Sequence, residues 1–337
     1  MRTARLYGVG DIRVSDEPVP EPGPGETLVQ VTAVGICGSD LHWFSEGAIG
    51  DAQLSQPLVL GHEAAGVIAS GPRRGQRVAI DPAIPDGTCR ACRDGYRNLC
   101  PRVRFSGHGG TDGSLREFMT WPSELLHPLP DQLSDSDGAM LEPLGVAVHS
   151  IDLGHLPFAG TAAVIGCGPI GLLTIQLLRI SGAESVVAFD PRPHRRKAAA
   201  ELGADQVADP RDFEPGFGGL EDLVGDGVDV SFEIAGGDAA VGLALQATRA
   251  GGRVTLGGIP EDDHIGFGAA VARRKGLTIA LVRRMNEVYE RAISLVARGQ
   301  VDTAALVTDR FGLDDTAAAF GKATHREGLK VIVEPNR

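Results

Sequence analysis

Cys37 and the adjacent pair His62-Glu63 are the residues of this chain best suited to hold a metal ion: a thiolate, an imidazole and a carboxylate in apolar, glycine-rich sequence. Each has a plainer alternative, since a cysteine after an apolar strand is often simply buried and a His beside a Glu is often a surface pair. Further along, Gly166-Cys167-Gly168-Pro169-Ile170-Gly171 follows an apolar run and opens a helical pattern. Its first glycine permits a tight turn, its second lets the backbone approach a pyrophosphate, and its third lets helix and strand pack closely. The helix N-terminus, from Pro169 and Ile170 onward, attracts the anion. Three metal ligands with one open position, upstream of a dinucleotide loop, point to metal-assisted hydride transfer.

Asp190 lies 19 residues after Gly171, at the end of the next strand-like segment. There a carboxylate accepts hydrogen bonds from the adenosine ribose and repels a 2′-phosphate, which favours NAD over NADP. Arg192, Arg195 and Arg196 are nearby and pull the other way, because arginines hold phosphates.

A second metal-type cluster is Cys89-x2-Cys92-x7-Cys100. Three thiolates at this spacing close around a tetrahedral zinc if one more ligand arrives, and Asp86, three residues before Cys89, is the candidate. That zinc would staple a lobe too small for its own core. The alternative is an empty lobe with reduced thiols.

Elements that position these residues fall into two textures. Before residue 143 the chain reads as all-β, with a strand over 27–31 and frequent Gly and Pro. Pro18, Pro20, Pro22 and Pro24 give that strand an extended lead-in. From 143 onward, strands over 162–165, 185–189, 228–232 and 253–256 and helices over 170–180 and 193–202 predict a doubly wound parallel sheet. The tail carries one clear helix, over 287–298, and a closing strand over 330–333.

The 337 residues suffice for two domains. A formal net charge of −12 argues against nonspecific nucleic-acid binding. No apolar run approaches the roughly 18 residues a membrane span needs. The N-terminus lacks the apolar core of a signal peptide, so a soluble, cytoplasmic protein is expected. Five cysteines, an odd number, argue against a disulfide framework.

Six segments together carry a more specific resemblance: 35–43, 47–50, Leu60-Gly61-His62-Glu63, the cysteine cluster, Leu141-Glu142-Pro143-Leu144 and the Gly-rich loop. With them the chain resembles the zinc-containing medium-chain dehydrogenases, and within these the polyol branch of sorbitol (L-iditol) and L-idonate 5-dehydrogenase type. The resemblance implies a GroES-like β-barrel catalytic domain over 1–142, an inserted Rossmann NAD-binding domain over 143–283 and a return to the catalytic domain over 284–337. It implies that Cys37, His62 and Glu63 bind the catalytic zinc, with Glu142 as fourth ligand or as a carboxylate that exchanges with water. Ser39 and His42 match proton-relay positions, and His42 could instead be a structural histidine. Arg283 matches a substrate-contacting arginine, or is a solvated charge at a strand end. Trp43, Phe105 and His108 would line the pocket. The expected activity is oxidation of a secondary alcohol of a polyol or sugar acid, in a homodimer or homotetramer that contacts through 277–282.

Two departures stand out. Asp86 replaces the first cysteine of the structural site, and the 66–75 region is short, which predicts a trimmed hairpin. L-threonine 3-dehydrogenase and simple secondary-alcohol dehydrogenases resemble the chain in the same blocks. A non-catalytic relative would have lost metal ligands, and none of the catalytic set is missing.

Overall fold

The computed structural model describes residues 1–213, 216–260 and 263–337. The chain forms two compact units: Met1–Glu142 with Asn286–Arg337, and Pro143–Met285.

The first unit is built on a seven-stranded sheet. Its strands run in the order Leu126–Pro128, Arg77–Ile80, Glu63–Ile68, Glu26–Gly35, Lys330–Glu334 and Val307–Gly312, with Phe118–Pro122 also pairing with Glu26–Gly35. Glu26–Gly35 alternates partly buried and buried residues, so Val29, Val31 and Ala33 face the interior. Leu6, Leu60, Ile80, Met119, Trp121 and Phe320 complete one core. The strands Glu63–Ile68 and Arg77–Ile80 are antiparallel neighbours joined across 69–76.

This unit is less purely β than its sequence texture implies. A helix spans Gly38–Glu46, and another, Asp135–Gly154, begins well before residue 143. The first has no apolar stripe, burying only Asp40 and Trp43. The second hides behind Gly138, Pro143 and Gly145, which read as breakers. Gly138 is required by packing, because a Cβ there would stand 2.6 Å from Leu129 Cδ1 and 2.8 Å from Ala65 Cβ. The tail holds two helices rather than one, Tyr289–Ala297 and Thr316–His325. The former starts later than the pattern suggests because Glu287 adopts φ 52°. The latter buries only Thr316, Ala319 and Phe320, too thin a stripe to stand out.

The second unit is a six-stranded parallel sheet in the order Gln206–Ala208, Ser185–Phe189, Thr161–Ile165, Val228–Glu233, Thr248–Leu256, Thr278–Leu281. Its central strands are near-continuous apolar runs, as expected where both faces are covered. Phe189, Val187, Leu243 and Val254 anchor its core. The chain reverses direction of progress between Thr161–Ile165 and Val228–Glu233, the switch point at which such sheets bind ligands.

Candidate metal centre and dinucleotide cradle

Strand pairing assembles the first cluster. Glu26–Gly35 runs antiparallel to Glu63–Ile68 with Gly35 opposite Glu63, so the chain leaving the first strand delivers Cys37 beside His62 and Glu63. One donor atom from each of Cys37, His62 and Glu63 lies within 4.8 Å of the others. Gly35 leaves the space for this, since a Cβ there would collide with the Glu63 carboxylate and with Lys330 Cε.

Two neighbours hold these donors in place. Asp40, itself buried, accepts the Cys37 N–H through Oδ2 at 3.0 Å and faces His62 Nδ1 through Oδ1 at 3.3 Å. A proton on Nδ1 directed at Asp40 leaves Nε2 with its lone pair, the usual way a ligating imidazole is oriented. Ser39 Oγ lies 3.5 Å from that Nε2, which puts its hydroxyl at the ligand pole of the ring. Lys330, from the closing strand, forms a buried ion pair with Glu63 Oε2.

The electrostatics favour a cation. Burial opposes a charged His62, yet Asp40 and Cys37 overcome it and hold its proton affinity well above the ordinary value. Glu142 is buried, and burial pushes its carboxyl up to about 7, with His62 pulling down and Glu63 pushing up. Cys37, Asp40, Glu63, Glu142 and Asp81 act on this region together with Lys330. A thiolate, an imidazole and a carboxylate are also the ligand types zinc accepts. The residues present therefore fit zinc. The mutually close donor group comprises Cys37, His62 and Glu63. Glu142 stands outside it as a nearby buried carboxyl.

His42 lies on the helix Gly38–Glu46, and its Nδ1 is 3.0 Å from Glu46 Oε1. An aromatic wall adjoins the cluster: Phe105 packs against His62 with centroids 5.2 Å apart, and His108 meets Trp43 edge-on at 5.4 Å.

In the second cluster, donor atoms of Asp86, Cys89, Cys92 and Cys100 also lie within 4.8 Å of one another. Cys89 caps the short helix Arg90–Arg93, its Sγ accepting the Cys92 N–H at 3.4 Å. Asp86 Oδ1 accepts the N–H groups of Cys89 and Thr88 at 2.8 and 2.7 Å, and Oδ2 pairs with Arg102 at 2.5 Å. These bonds hold its carboxyl far below the usual range, so it is ionised as a ligand must be. Desolvation and the neighbouring thiols push Cys92 up to about 11.

The second unit carries the Gly-rich loop between the strand Thr161–Ile165 and the helix Pro169–Ile180. Gly166 has φ 98°, closed to most side chains, and a Cβ on Gly171 would strike the Gly166 carbonyl. Gly168 caps the helix and Pro169 occupies its first turn. Ile170 follows inside that turn. Asp190 ends the neighbouring strand, accepting the Cys167 N–H at 2.9 Å and the Arg192 N–H at 2.8 Å. Arg196 is engaged by Asp209 at 2.9 Å, while Arg195 Nη1 stands 4.0 Å from Asp190 and borders the Gly168 turn. Arg283 is exposed, beyond the end of the strand Thr278–Leu281.

Sequence reasoning missed Asp40 and Lys330. The first lies three residues after Cys37, and the second is a lysine opening an otherwise apolar strand, an anomaly that signals a buried partner.

A buried soft-ligand metal cluster and a parallel-sheet dinucleotide cradle in one chain define a zinc- and nicotinamide-dependent dehydrogenase. Comparison with known proteins agrees. Residues 23–131 match the alcohol dehydrogenase GroES-like domain and residues 169–298 the zinc-binding dehydrogenase domain. The chain is 34% identical to a sorbitol dehydrogenase of Bacillus subtilis, over 100% of this chain and 98% of that protein. The solved structure of L-idonate 5-dehydrogenase from Escherichia coli superposes with TM-score 0.92 at 28% identity, covering 99% of this chain and 97% of the other. A zinc-binding dehydrogenase of Sinorhizobium meliloti, solved bound to NADP, gives 0.90 at 31% identity over 99% of both chains. The chain belongs to the zinc-binding dehydrogenases, with a GroES-like domain and a Rossmann-type domain.

Proposed function

We propose that this enzyme oxidises a secondary alcohol of a polyol or sugar acid of the sorbitol, L-iditol, xylitol and L-idonate class, with NAD as acceptor. The observation that carries the reading is the donor set Cys37, His62 and Glu63, in which a carboxylate stands where a second thiolate would make the site softer and drier. Such a site suits a substrate presenting adjacent hydroxyls. The sorbitol and L-idonate dehydrogenases among the relatives support the same class.

Cys37, His62 and Glu63 would hold zinc, which would supply Lewis acidity at the substrate hydroxyl, and the dinucleotide cradle would hold NAD, which would supply the hydride acceptor. The chain's own residues do the rest. Ser39 accepts the hydroxyl proton and passes it towards His42, which gives it to solvent. Asp40 fixes the His62 ring, and Lys330 fixes the Glu63 carboxylate. Glu142 supplies a second buried carboxyl within electrostatic reach of the ligands. Phe105, His108 and Trp43 form the wall against which the carbon chain lies, and Arg283 is a candidate for its far hydroxyls or carboxylate. The balance is one secondary alcohol and NAD⁺ giving one ketone, NADH and a proton. In the second unit Gly166, Gly168, Pro169, Ile170 and Gly171 receive the pyrophosphate, and Asp190 the adenosine ribose. Arg195 is the residue that would admit NADP.

Asp86, Cys89, Cys92 and Cys100 hold a second, structural zinc in this reading. Free thiols in both clusters suit a reducing, cytoplasmic setting. The edge strand Thr278–Leu281, with Leu281 72% exposed, is the proposed contact of a homodimer or homotetramer. An NAD-reduction screen over sorbitol, xylitol, L-idonate, threonine and simple secondary alcohols tests the reading. Turnover confined to threonine or simple alcohols would overturn the substrate class.

A further inference from the structure

Glu233 ends the strand Val228–Glu233, fully buried, at the point where the parallel sheet changes direction. Its register partner across the switch is Ile165, the residue before the Gly-rich loop. Its side chain does not serve the sheet. Oε1 accepts the N–H groups of both Ala235 and Gly236 at 2.7 Å, and the Gly258 N–H also acts on the carboxylate. Its backbone carbonyl meanwhile accepts Gly257 N–H at 2.8 Å and Gly258 N–H at 3.2 Å. One residue thus ties down two turns.

These turns stack on the Gly-rich loop with no slack. A Cβ on Gly166 would stand 3.0 Å from Ala235 N and 3.1 Å from its Cα. A Cβ on Gly258 would drive into the backbone of Gly236, and one on Gly236 into the Ile259 carbonyl. The three turns follow adjacent strands and meet backbone to backbone. Displacing the Ala235-Gly236 turn therefore displaces its neighbours.

Holding one tight turn does not require a carboxylate. Asn or Ser does so commonly, without burying an ionisable group. Such an expense at a ligand-binding switch point indicates a functional constraint. Asp190, on the strand to one side of Thr161–Ile165, takes the adenosine end of a dinucleotide. Val228–Glu233 lies on the other side, so its turns face the nicotinamide end. We propose that Glu233 is a positioning residue for the nicotinamide half of the cofactor. It sets the Ala235-Gly236 turn against Gly166, and the cofactor meets that turn's backbone rather than the carboxylate. This rests on the second unit binding a dinucleotide.

The test compares NADH with AMP, which lacks the nicotinamide half, on the full-length, metal-assayed protein. Glu233→Met keeps the size but removes the oxygen to which both backbone N–H groups donate. It should weaken NADH binding about tenfold or more, the loss of at least one well-made hydrogen bond, and leave AMP affinity within about twofold of wild type. KM for NAD should rise more than kcat falls. Gly236→Ala, which leaves Glu233 in place and strains the same turn at φ 78°, should reproduce the pattern. Folding of both variants is checked by thermal unfolding and zinc content. NADH affinity unchanged in both folded variants, or NADH and AMP weakened alike, would overturn the proposal. Failure of the wild type to bind NADH or NADPH would overturn the dinucleotide reading itself, and this inference with it.

Discussion

Lys330 and Glu63, far apart in sequence, form an ion pair with side chains 2% and 1% exposed. The closing strand of the chain thereby holds one of the three clustered donors proposed to bind the metal. Removing one partner of a buried pair leaves an uncompensated charge and costs about 3–5 kcal/mol. Lys330→Met should lower the urea midpoint most strongly in metal-stripped protein, where nothing else neutralises Glu63. Zinc should recover part of the loss. Equal destabilisation with and without zinc would show that Glu63 does not bind the metal.

Asp40 addresses the other side of the cluster. It orients His62 and accepts the Cys37 N–H, so Asp40→Asn should weaken the catalytic metal without removing a ligand. A loss of about 10–100-fold in zinc affinity is expected for such a partner. Competition with a chelator of known affinity measures it, and an unchanged affinity would remove Asp40 from the site.

Zinc content per chain decides the role of Asp86. Wild type should carry two zinc ions, and Asp86→Ala one, with the remaining ion lost in Cys37→Ser on the same background. Asp86→Cys should hold the structural ion more tightly, because a fourth thiolate is the softer match. A wild type with one zinc that Asp86→Cys raises to two would show that the carboxylate does not suffice.

Asp81, whose charge also acts on Glu142, gives a pH signature of its own. Burial pushes its carboxyl up to about 6, above its value in the unfolded chain. The folded state therefore holds a proton that the unfolded state has already released between about pH 4 and pH 6. Its contribution is fully present below that window and is lost as pH rises through it. Asp81→Asn keeps an acceptor for the Ala83 N–H, bonded at 3.0 Å, and should flatten this part of the stability curve. An identical slope in the variant would contradict the assignment.

How far the sequence foretold this molecule depended on whether a signal was local. The doubly wound sheet was legible because its buried strands are short apolar runs set between glycine turns, and Ser185–Phe189 matches its expected limits. The Gly-rich loop was legible for the same reason. The helix Gly38–Glu46 was hidden, because it buries only two side chains and begins at a cysteine rather than a serine or threonine. Asp135–Gly154 was hidden by an internal proline. At the metal cluster, spacing and family resemblance named Cys37, His62 and Glu63. Asp40 and Lys330 act only through partners that pairing brings near, so their roles appear once strand register is known. Glu233 was invisible for the same reason, since its function lies in the turns that follow it.

In the proposed reaction a metal held by Cys37, His62 and Glu63 drives NAD reduction by a polyhydroxylated alcohol. The most direct measurement is the initial rate of NADH formation from sorbitol, xylitol or L-idonate before chelation, after it and after zinc is restored. Cys37→Ser is carried alongside, with NADH binding checked throughout. The rate should vanish on chelation, return with zinc and be absent in Cys37→Ser, while NADH binding survives in every sample. Turnover that persists in metal-free protein or in Cys37→Ser would contradict the account.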